Sequence, residues 1–516
     1  MLDGQTCRIR QERPPCCAPQ VPEDSAPATG VKGAQPDNLP FVAGLPSFVV
    51  SFCAAIVVPM QTIKVALEER KPPRSVPTAS AVFKDGAILE MLHDPEARET
   101  RFALWRNGAW TTEEGYALNA VERLVPFSAA NNLIKNGIVR LPKAPEEYGS
   151  EEQLLTEVKS FIHRYVDVSP LYEEIASYYV LFSWVYDGFN ELPYLHVRGD
   201  YGTGKTRFLL TVGAICYKAI FASGASTVSP IFRLLETFQG TLIIDECDFR
   251  FSDEKAELVK ILNNGNVRGF PVLRSDANNK GEFNPNAYHV FGPKIVATRG
   301  DFEDRALESR FVTEDMGSAK LREGIPINLP PEHKTEALTL RNKLLLFRFR
   351  NLNKHPTLAH LVDRSLEPRL NQIFVPLLSI IDDPKAQERL KGVARQCQRE
   401  LVSERGLSTE AQVLEVIQEL QALSDTRLSI KEITDRFTDL HGDEYKHKIT
   451  HKWVSYIIHK KLHLKSRKSN GVYVIGAEEY PKLTRMYEQY GLTAAQAVQA
   501  ESVVEAQTGM SGTSGT

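Results

Sequence analysis

Apolar residues in the middle of the chain form short runs that end in polar residues, and these runs alternate with longer stretches that have helical spacing. Three such runs cover residues 194–198, 241–244 and 291–297. Short apolar runs with polar ends are typical of buried strands, and strands that alternate with helices favour a parallel sheet. The pattern therefore predicts an α/β core that extends from residue 150 to 325.

Helices are predicted before this core. Ser150 and Gln153 have the spacing of a capping box, and Leu155, Val158 and Ile162 supply the apolar stripe of the helix that follows. A second helix is predicted to start at Ser169-Pro170, because proline is favoured at the first helical position. After the core, residues 337–351 and 366–381 have helical character, and we expect residues 326–400 to form a helical lid region.

A final domain is predicted over residues 408–492. Ser429 and Glu432 form a second capping box, and another helix is expected to start at Thr450. Residues 464–475 have the pattern of a hairpin that turns at Asn470-Gly471, a favoured two-residue turn. Three helices and a hairpin resemble a winged helix-turn-helix.

Three other regions differ from these in composition. Residues 1–46 are rich in proline, alanine, glycine and charge, and we expect them to be disordered. Residues 79–145 contain short apolar segments that indicate a small strand-rich accessory region. Residues 493–516 are rich in small and polar residues and are expected to form a flexible tail.

Composition limits the class of protein. The 516 residues carry a formal net charge of -3 and are 42% hydrophobic, which is ordinary for a soluble globular protein. The seven cysteines include no C-x-x-C pair, which indicates a reducing, cytoplasmic environment. The apolar residues 48–58 are too few to cross a bilayer, so no membrane association is expected.

The most specific motif covers residues 199–206 and matches G-x-x-x-x-G-K-[ST] at every fixed position. In this motif glycines bring backbone N–H groups to nucleotide phosphates, the lysine binds the outer phosphates, and the hydroxyl can bind Mg2+. A glycine-rich turn without a ligand is the alternative. The residues predicted to bind ATP are Gly199, Asp200, Tyr201, Gly202, Thr203, Gly204, Lys205 and Thr206.

Two adjacent acids end the strand predicted at 241–244. Asp245 would lie next to the phosphate loop and hold Mg2+ together with Thr206, and Glu246 would polarise the water that attacks the γ-phosphate. Two surface acids at the end of a strand are the alternative. The spacing of about 40 residues after the phosphate loop favours the catalytic interpretation.

With these motifs, residues 150–381 resemble the AAA+ ATPases, and more closely the helicase-like members of bacterial mobile elements and phages. The resemblance implies a P-loop NTPase core, a γ-phosphate sensor at Thr298, with the adjacent Arg299 as the second choice, and an arginine finger at Arg310. The asparagine usual for the sensor is absent from both positions. A finger acts on the nucleotide of a neighbouring subunit, so the resemblance also implies a homo-oligomeric ring; a surface cation is the alternative for Arg310 and for Arg305.

Two further assignments stay open at this point. In helicase-like members of the family, the region that corresponds to residues 262–269 and Arg274 can face the central pore and the nucleic acid. An ordinary solvated turn is the alternative for these residues. A second nucleotide-sensing arginine from the lid would be Arg341, Arg348 or Arg350, and a charged helix face is the alternative for each.

The C-terminal module is basic. Residues 446–475 include no Asp or Glu, which favours binding to DNA phosphates, although winged helices also bind proteins. The four histidines at 447, 451, 459 and 463 offer a weak alternative as metal ligands. The residues predicted to contact DNA are Lys446, Lys448, His451, Lys452, Ser455, His459, Lys460, Lys465, Arg467 and Lys468.

Together these features predict an ATP- and Mg2+-dependent AAA+-like ATPase coupled to DNA, as a helicase or a replication-associated motor of a mobile element. Its expected partners are single- or double-stranded DNA and further copies of the chain, with a primase or another replication protein as an additional candidate. A nucleotide-switched DNA-binding regulator and a protein-remodelling ATPase are the alternatives. DNA-stimulated hydrolysis separates the motor from both.

Overall fold

The computed structural model describes ten segments, between residues 72 and 492. The predicted disordered segment 1–46 and the predicted tail 493–516 lie outside them, as do Glu246, Lys446 and Asn470. Among the described residues, no helix combines the length and the apolar character needed to cross a membrane. The segments are 72–223, 226–245, 253–275, 284–302, 304–317, 321–354, 359–423, 428–445, 448–469 and 471–492, without the side chains of residues 253–255 and 404.

Seven strands form two small sheets at the start of the described chain. One sheet has the antiparallel order β2-β3-β4-β5, and in the other β7 pairs with β1 in parallel and with β6 in antiparallel orientation. The strand-rich character expected for this region is present, although the strands begin before residue 79. The strands are β1 Arg74–Thr78, β2 Ser80–Val82, β3 Ile88–Asp94, β4 Glu99–Arg106, β5 Ala109–Glu113, β6 Tyr116–Ala117 and β7 Glu122–Pro126.

Three helices lead from these sheets into the core: α1 Asn132–Lys135, α2 Glu151–Tyr165 and α3 Pro170–Val185. The predicted capping box is confirmed, because Ser150 and Gln153 each accept a hydrogen bond from the other's backbone N–H. The predicted start of α3 is also confirmed, with Ser169 as its cap and proline in its first turn. Local polar signals therefore set both helix starts.

The core is a five-stranded parallel sheet, as predicted, with the strand order β14-β8-β13-β10-β9. Strands β8, β10 and β13 coincide with the three apolar runs of the sequence, and they are almost completely buried. A short hairpin, β11 with β12, lies between β10 and β13 along the chain. In chain order the elements are β8 Tyr194–Arg198, α4 Lys205–Ile215, β9 Ile220–Ser223, α5 Val228–Phe238, β10 Leu242–Asp245, α6 Asp253–Asn264, β11 Val272–Arg274, β12 Asn286–Tyr288, β13 Lys294–Thr298, α7 Arg305–Glu308 and β14 Phe311–Asp315.

The strand order places a crevice at one edge of this sheet. After β8, the chain passes through α4 to β9 at one side of the sheet, whereas after β13 it passes through α7 to β14 at the opposite side. Ligands of open parallel sheets bind where neighbouring connections diverge in this way, beyond the carboxyl ends of the strands. The end of β8 carries the glycine-rich motif, so this motif lies at the crevice.

Three helices follow the core: α8 Glu332–Asn351, α9 Pro368–Leu378 and α10 Pro384–Gly406. Pro368 lies in the first turn of α9 and Pro376 lies inside it, and α10 continues beyond residue 400, the predicted end of the lid region. Helix α8 contacts α2, α3 and α4 directly, so it belongs to the helical layer of the core. This packing differs from a lid that stands apart from the sheet.

The C-terminal residues have a hydrophobic core of their own, which includes Val413, Ile433, Phe437, Val454 and Leu483. The predicted capping box of Ser429 and Glu432 is confirmed, and so is the antiparallel hairpin β16–β17. The predicted third helix ends as a π-helical turn over Ile457–Lys461, and α14 was not predicted. The elements are α11 Thr409–Leu423, β15 Leu428–Ser429, α12 Ile430–His441, α13 His451–Tyr456, β16 Ser466–Ser469, β17 Val472–Ile475 and α14 Tyr480–Gln489.

Candidate nucleotide-binding site

The loop between β8 and α4 has a backbone that requires glycine. Gly199, Gly202 and Gly204 have φ values of 152°, 75° and 95°, in the region that residues with a side chain rarely adopt. A Cβ atom at Gly199 would lie 2.5 Å from the carbonyl oxygen of Met316, so the close approach to this backbone also excludes a side chain. The loop ends at the amino end of α4, where backbone N–H groups without a helical partner attract anions.

Lys205, the first residue of α4, turns back over this loop. Its Nζ donates hydrogen bonds to the carbonyl oxygens of Gly199 and Asp200, both at 2.6 Å, and lies 3.5 Å from Oγ1 of Thr203. The side chain is half-buried, and no carboxylate within the described segments forms an ion pair with it. Its charge is therefore held by weak acceptors at a position that phosphate oxygens can reach.

Thr206 and Asp245 are brought together from elements 39 residues apart. The Thr206 hydroxyl in the first turn of α4 donates to Oδ2 of Asp245 at the end of β10, at 2.7 Å. Carboxylate and hydroxyl oxygens are ligands that Mg2+ accepts, so this pair fits the predicted metal site beside the loop. Glu246 follows Asp245 directly in the chain and lies outside the described residues.

The two candidate sensors at the end of β13 have different environments. The Thr298 side chain is buried, donates a hydrogen bond to the carbonyl oxygen of Gly300 at 2.6 Å, and is 2.7 Å from Nε2 of His196. The exposed Arg299 places its guanidinium over the ring of Tyr201, 4.1 Å from the ring centre. Both candidates therefore touch the glycine loop: the carbonyl oxygen of Thr298 accepts a hydrogen bond from the backbone N–H of Gly199 at 3.3 Å, whereas Arg299 contacts the loop through its side chain.

His196 was missed by the sequence analysis. It is fully buried in β8, where its ring links Thr298 of β13 to Thr313 of β14 through hydrogen bonds of 2.7 and 3.1 Å. Glu308 lies 3.7 Å from the same ring; burial acts to raise the pKa of this carboxyl group, but contacts with His196 and hydrogen bonds from Phe302 and Thr313 together lower it. The available signal was one polar residue inside an otherwise apolar strand.

Arg198, also missed, ends β8 immediately before the loop. It forms ion pairs with Asp301 and Asp315, and the contact to Oδ2 of Asp315 is 2.9 Å long. The hydrogen bonds from Arg198 lower the pKa of Asp315. This arginine therefore joins the carboxyl ends of β8 and β14 beside the phosphate loop.

Arg310 lies at the amino ends of the strands, opposite the carboxyl ends that carry the glycine loop. Its carbonyl oxygen accepts a hydrogen bond from the backbone of Tyr194 at the amino end of β8, so the length of β8, roughly 15 Å, separates it from the phosphate loop of the same chain. The residue as a whole is only 9% exposed; Nε donates to Oδ1 of Asn266 at 3.0 Å, and Nη1 donates to the carbonyl of Ala306. Arg305, in contrast, is exposed.

The three arginines considered as lid sensors have other partners. Arg341 donates to the carbonyl of Ala214, which lies nine residues along α4 from Lys205 and so roughly 14 Å away. Arg348 is buried and binds Glu90 and Asp187, each at 2.7 Å, while Arg350 binds Glu147. Within this chain, these side chains join α8 to its neighbours and do not contact the phosphate loop.

The predicted DNA-binding residues of the C-terminal module divide into two groups. Ser455 and His459 are half-buried and bound to each other, and His459 also contacts Oγ of Ser466 at 2.7 Å, so they join the third helix to the hairpin. Two aromatic side chains not predicted to be part of this surface, Tyr456 and Tyr473, are more than half exposed. The exposed predicted residues are Lys448, His451, Lys452, Lys460, Lys465, Arg467 and Lys468.

The described part of the C-terminal module does not support the metal alternative. Across the described residues, no group of three or more histidine, cysteine, aspartate or glutamate side chains is arranged to hold a metal ion. His459 contacts Ser455 of its own helix through Nδ1 and Ser466 of the hairpin through Nε2, so both ring nitrogens already have partners.

The chain matches no protein-family model and no curated protein. It is similar to the solved structure of the NrS-1 C-terminal region, with 13% identity over 75% of this chain and 96% of that one and a TM-score of 0.32. For a JCV helicase structure the identity is 10%, the coverage is 49% and 62%, and the TM-score is 0.22. For the Aeropyrum pernix ORC1 protein in complex with DNA the identity is 16%, the coverage is 63% of this chain and 87% of that one, and the TM-score is 0.17. TM-scores of this size carry no argument about function. The argument for a function therefore depends on the site itself.

Proposed function

We propose that this chain binds and hydrolyses ATP as an AAA+-like ATPase and couples hydrolysis to work on DNA. The observation that carries the proposal is the 2.7 Å hydrogen bond between Thr206 and Asp245, formed beside a glycine loop that ends in Lys205. A glycine-rich turn without a ligand has no need for a hydroxyl and a carboxylate at the same helix terminus. Their meeting at the crevice of a parallel sheet favours a nucleotide site.

Each residue has a defined task in this proposal. The backbone N–H groups of the loop and the ammonium of Lys205 bind the phosphates, and Thr206 and Asp245 hold Mg2+, which when bound offsets the charge of the phosphate oxygens. Glu246 orients the attacking water and accepts its proton. Arg299, or Thr298 beside it, responds to the outermost phosphate.

We assign Arg310 to the nucleotide of a neighbouring subunit. Its distance from the phosphate loop of its own chain supports action in trans, because roughly 15 Å is beyond the reach of an arginine side chain. A guanidinium that reaches the transition state from a neighbour raises the hydrolysis rate by about 10^3 or more in related enzymes. The proposed assembly is therefore a ring of identical subunits in which each site is completed by the next chain.

The C-terminal module is proposed to bind DNA as a winged helix. Its order of elements, from α11 through β15, α12 and α13 to the hairpin β16–β17, supports this, as does the row of exposed cations on the helix and hairpin. The exposed Tyr456 and Tyr473 add surfaces on which bases can stack. A helicase or replication motor of a mobile element, working beside a primase, is the most specific form of the proposal.

Hydrolysis by the purified full chain, measured with and without DNA, tests this function. We expect single-stranded or duplex DNA to raise the rate and Lys205→Ala to abolish it, with strand displacement if the chain is a motor. ATP-dependent DNA binding without displacement would instead indicate a nucleotide-switched regulator. A rate that neither responds to DNA nor depends on Lys205 would overturn the proposal.

A further inference from the structure

One large aromatic side chain projects from the phosphate loop. Tyr201 occupies a position that the motif leaves open, so phosphate binding by the motif does not require a tyrosine there. The residue is 75% exposed, and its hydroxyl forms no hydrogen bond within the described segments. Its ring lies against Arg299, whose guanidinium carbon is 4.1 Å from the ring centre. The tyrosine therefore does not belong to a core, and it packs against a cation beside the loop.

The backbone that carries Tyr201 has a defined conformation on both sides. Before it, the carbonyl oxygen of Asp200 accepts hydrogen bonds from Nζ of Lys205 at 2.6 Å and from the hydroxyl of Thr203 at 3.0 Å. After it, Gly202 has a φ of 75°, which a residue with a side chain rarely adopts. The ring therefore extends from a turn that is fixed by hydrogen bonds and by a glycine.

Arg299 is placed beside the loop by the sheet. It directly follows β13, which pairs in parallel with β8 so that Thr298 lies opposite Arg198. The carbonyl oxygen of Thr298 also accepts a hydrogen bond from the backbone N–H of Gly199 at 3.3 Å. The backbone of Arg299 therefore starts next to the first residue of the loop, and its side chain extends to the ring of Tyr201.

The side chain of Thr298 is not accessible to a nucleotide in the same way. It is 3% exposed, its hydroxyl donates to the carbonyl oxygen of Gly300 at 2.6 Å, and the same hydroxyl lies 2.7 Å from Nε2 of His196. Arg299, in contrast, is exposed. Of the two sensor candidates, Arg299 is therefore the one whose side chain a nucleotide can reach.

An aromatic ring suits an arginine that has to bind phosphate. The ring attracts the guanidinium through its π face, and this attraction does not require hydrogen bonds from the N–H groups. Those N–H groups match the oxygens of a phosphate. Arg198, at the end of the neighbouring strand, differs because it forms ion pairs with Asp301 and Asp315. A carboxylate competes with phosphate for the N–H groups, whereas a ring does not.

The pair of Tyr201 and Arg299 lies at the end of the loop that receives the outer phosphates. In this motif the lysine binds those phosphates, and the ammonium of Lys205 is bound to Asp200, the residue before Tyr201. We propose that Tyr201 is a positioning residue whose ring holds the guanidinium of Arg299 at this end of the loop, where it binds the outermost phosphate and so distinguishes ATP from ADP. This inference rests on the proposed function, because it requires a nucleotide at the loop.

Tyr201→Leu tests the role of the ring, since it removes the π face and keeps an apolar side chain. We expect the dissociation constant for a non-hydrolysable ATP analogue to rise roughly 3- to 10-fold in the presence of Mg2+. The dissociation constant for ADP should not change, because ADP lacks the phosphate that Arg299 binds. Isothermal titration calorimetry of the full chain measures both constants. Equal weakening of both ligands would mean that the ring contacts the base or shapes the loop, and it would overturn the inference.

Tyr201→Phe is the matched control, because it keeps the ring and removes only the hydroxyl. It should restore the wild-type ratio of the two dissociation constants. If this ratio fell as far as in Tyr201→Leu, the aromatic face would not be the cause, and the inference would be rejected. Neither substitution removes a buried side chain, and the melting temperature of each variant checks that the chain is folded.

Arg299→Ala distinguishes failure of the inference from failure of the function. It should weaken binding of the ATP analogue at least as much as Tyr201→Leu does, and in this background Tyr201→Leu should have no further effect. Additive losses would overturn the inference. If the wild type bound neither nucleotide, the proposed function would fail and the inference with it. If the wild type hydrolysed ATP while neither substitution changed the ratio, the function would stand and only the inference would be rejected.

Discussion

Two lysines of this protein both donate hydrogen bonds to backbone carbonyl groups, but they differ in their exposure to solvent. Lys205 donates to two backbone carbonyls of the phosphate loop at the carboxyl edge of the sheet, where it is half-buried. Lys294 donates to the carbonyls of Val290 and Gly292 at 2.8 and 2.9 Å at the amino edge, where it is fully buried. Both donors are lysine ammonium groups bound to carbonyl oxygens. Solvent accessibility therefore decides which of the two can exchange its carbonyl acceptors for a ligand.

The buried lysine has a structural task. Its ammonium also lies 3.4 Å from the carbonyl of Gly265, so one charge joins the start and the end of the segment 265–292 that contains the hairpin. The backbone leaves no room for a side chain at Gly265, because a Cβ atom there would lie 2.5 Å from the carbonyl oxygen of Val290 and 2.8 Å from that of Ile261. Burial lowers the pKa of Lys294 to about 7. The three carbonyl groups thus bind a lysine whose charged form is destabilised by burial.

A third cation, Arg348, is buried and is bound by carboxylates as well as by a carbonyl group. Arg348 is buried like Lys294, but it binds Glu90 of the accessory sheet and Asp187 after α3. Burial acts to raise the pKa of Asp187, and the adjacent arginine outweighs this and lowers it. Among the three cations, one is available to a ligand, one clamps a segment, and one joins the accessory sheet to the core.

The largest effect is expected from Arg348→Met. The change leaves the Asp187 carboxylate without its arginine, while Glu90 keeps Lys218 and Tyr217 as partners. Removing one member of a buried ion pair should lower the free energy of unfolding by about 3–5 kcal/mol, measured by urea denaturation. Arg350→Met on the same helix is the control, because its pair with Glu147 is partly exposed and should contribute less than about 1 kcal/mol. Equal losses in the two variants would contradict the distinction.

Lys205→Ala should lower the rate of ATP hydrolysis roughly 10^2- to 10^3-fold, since a charged donor to the transition state is lost. Its unfolding midpoint should stay close to that of the wild type, because the carbonyls it leaves are accessible to water. Phosphate release and urea denaturation measure the two quantities. If Lys294→Met lowered hydrolysis as strongly while remaining folded, accessibility would not separate the two lysines.

Lys294→Met should change how stability depends on pH. The pKa is about 7 in the folded chain and 10.5 in the unfolded chain, so between these values the unfolded chain binds more protons and raising the pH stabilises the wild type. Relative to the variant, the wild type should gain about 1.4 kcal/mol per pH unit between about pH 8 and 10. Urea denaturation across this range checks the slope, and a constant difference would refute the lowered pKa.

The smallest effect concerns the cations of the C-terminal module. Lys468→Gln should weaken DNA binding and reduce the slope of log affinity against log salt by about 0.7–0.9, the contribution of one phosphate contact. Lys461→Gln is the control, since this ammonium lies 3.9 Å from Glu410 and is partly compensated. Fluorescence anisotropy at several salt concentrations measures both slopes. A slope for Lys468→Gln equal to that of the wild type would show that Lys468 makes no phosphate contact.

Local patterns in the sequence predicted much of this fold. The starts of α2, α3 and α12 follow from capping residues within three positions, and the hairpin β16–β17 follows from alternation around a favoured turn. A phosphate loop could be predicted because every fixed position of its motif falls within residues 199–206. In each case the interacting groups are close in the chain, so their spacing alone carries the information.

Contacts between distant elements were not predictable in the same way. The bond between Asn266 and Arg310 spans 44 residues, and that between His196 and Thr298 spans 102. Helix α8 was expected in a lid but packs on α2, α3 and α4, because its buried face includes Leu344 and Leu345 as well as two arginines that find partners only in the folded chain. Spacing in the sequence does not record these partners.

The sequence by itself determined most of the helices and strands and predicted a phosphate loop at residues 199–206, since both depend on neighbours a few residues apart. The tertiary structure decided which polar groups meet. The strand order β14-β8-β13-β10-β9 brings Thr206 to Asp245 at one edge and places Lys294, Asn266 and Arg310 at the other. Two lysines that look alike in the sequence therefore differ in role, because burial removes from one of them the access to a ligand that the other retains.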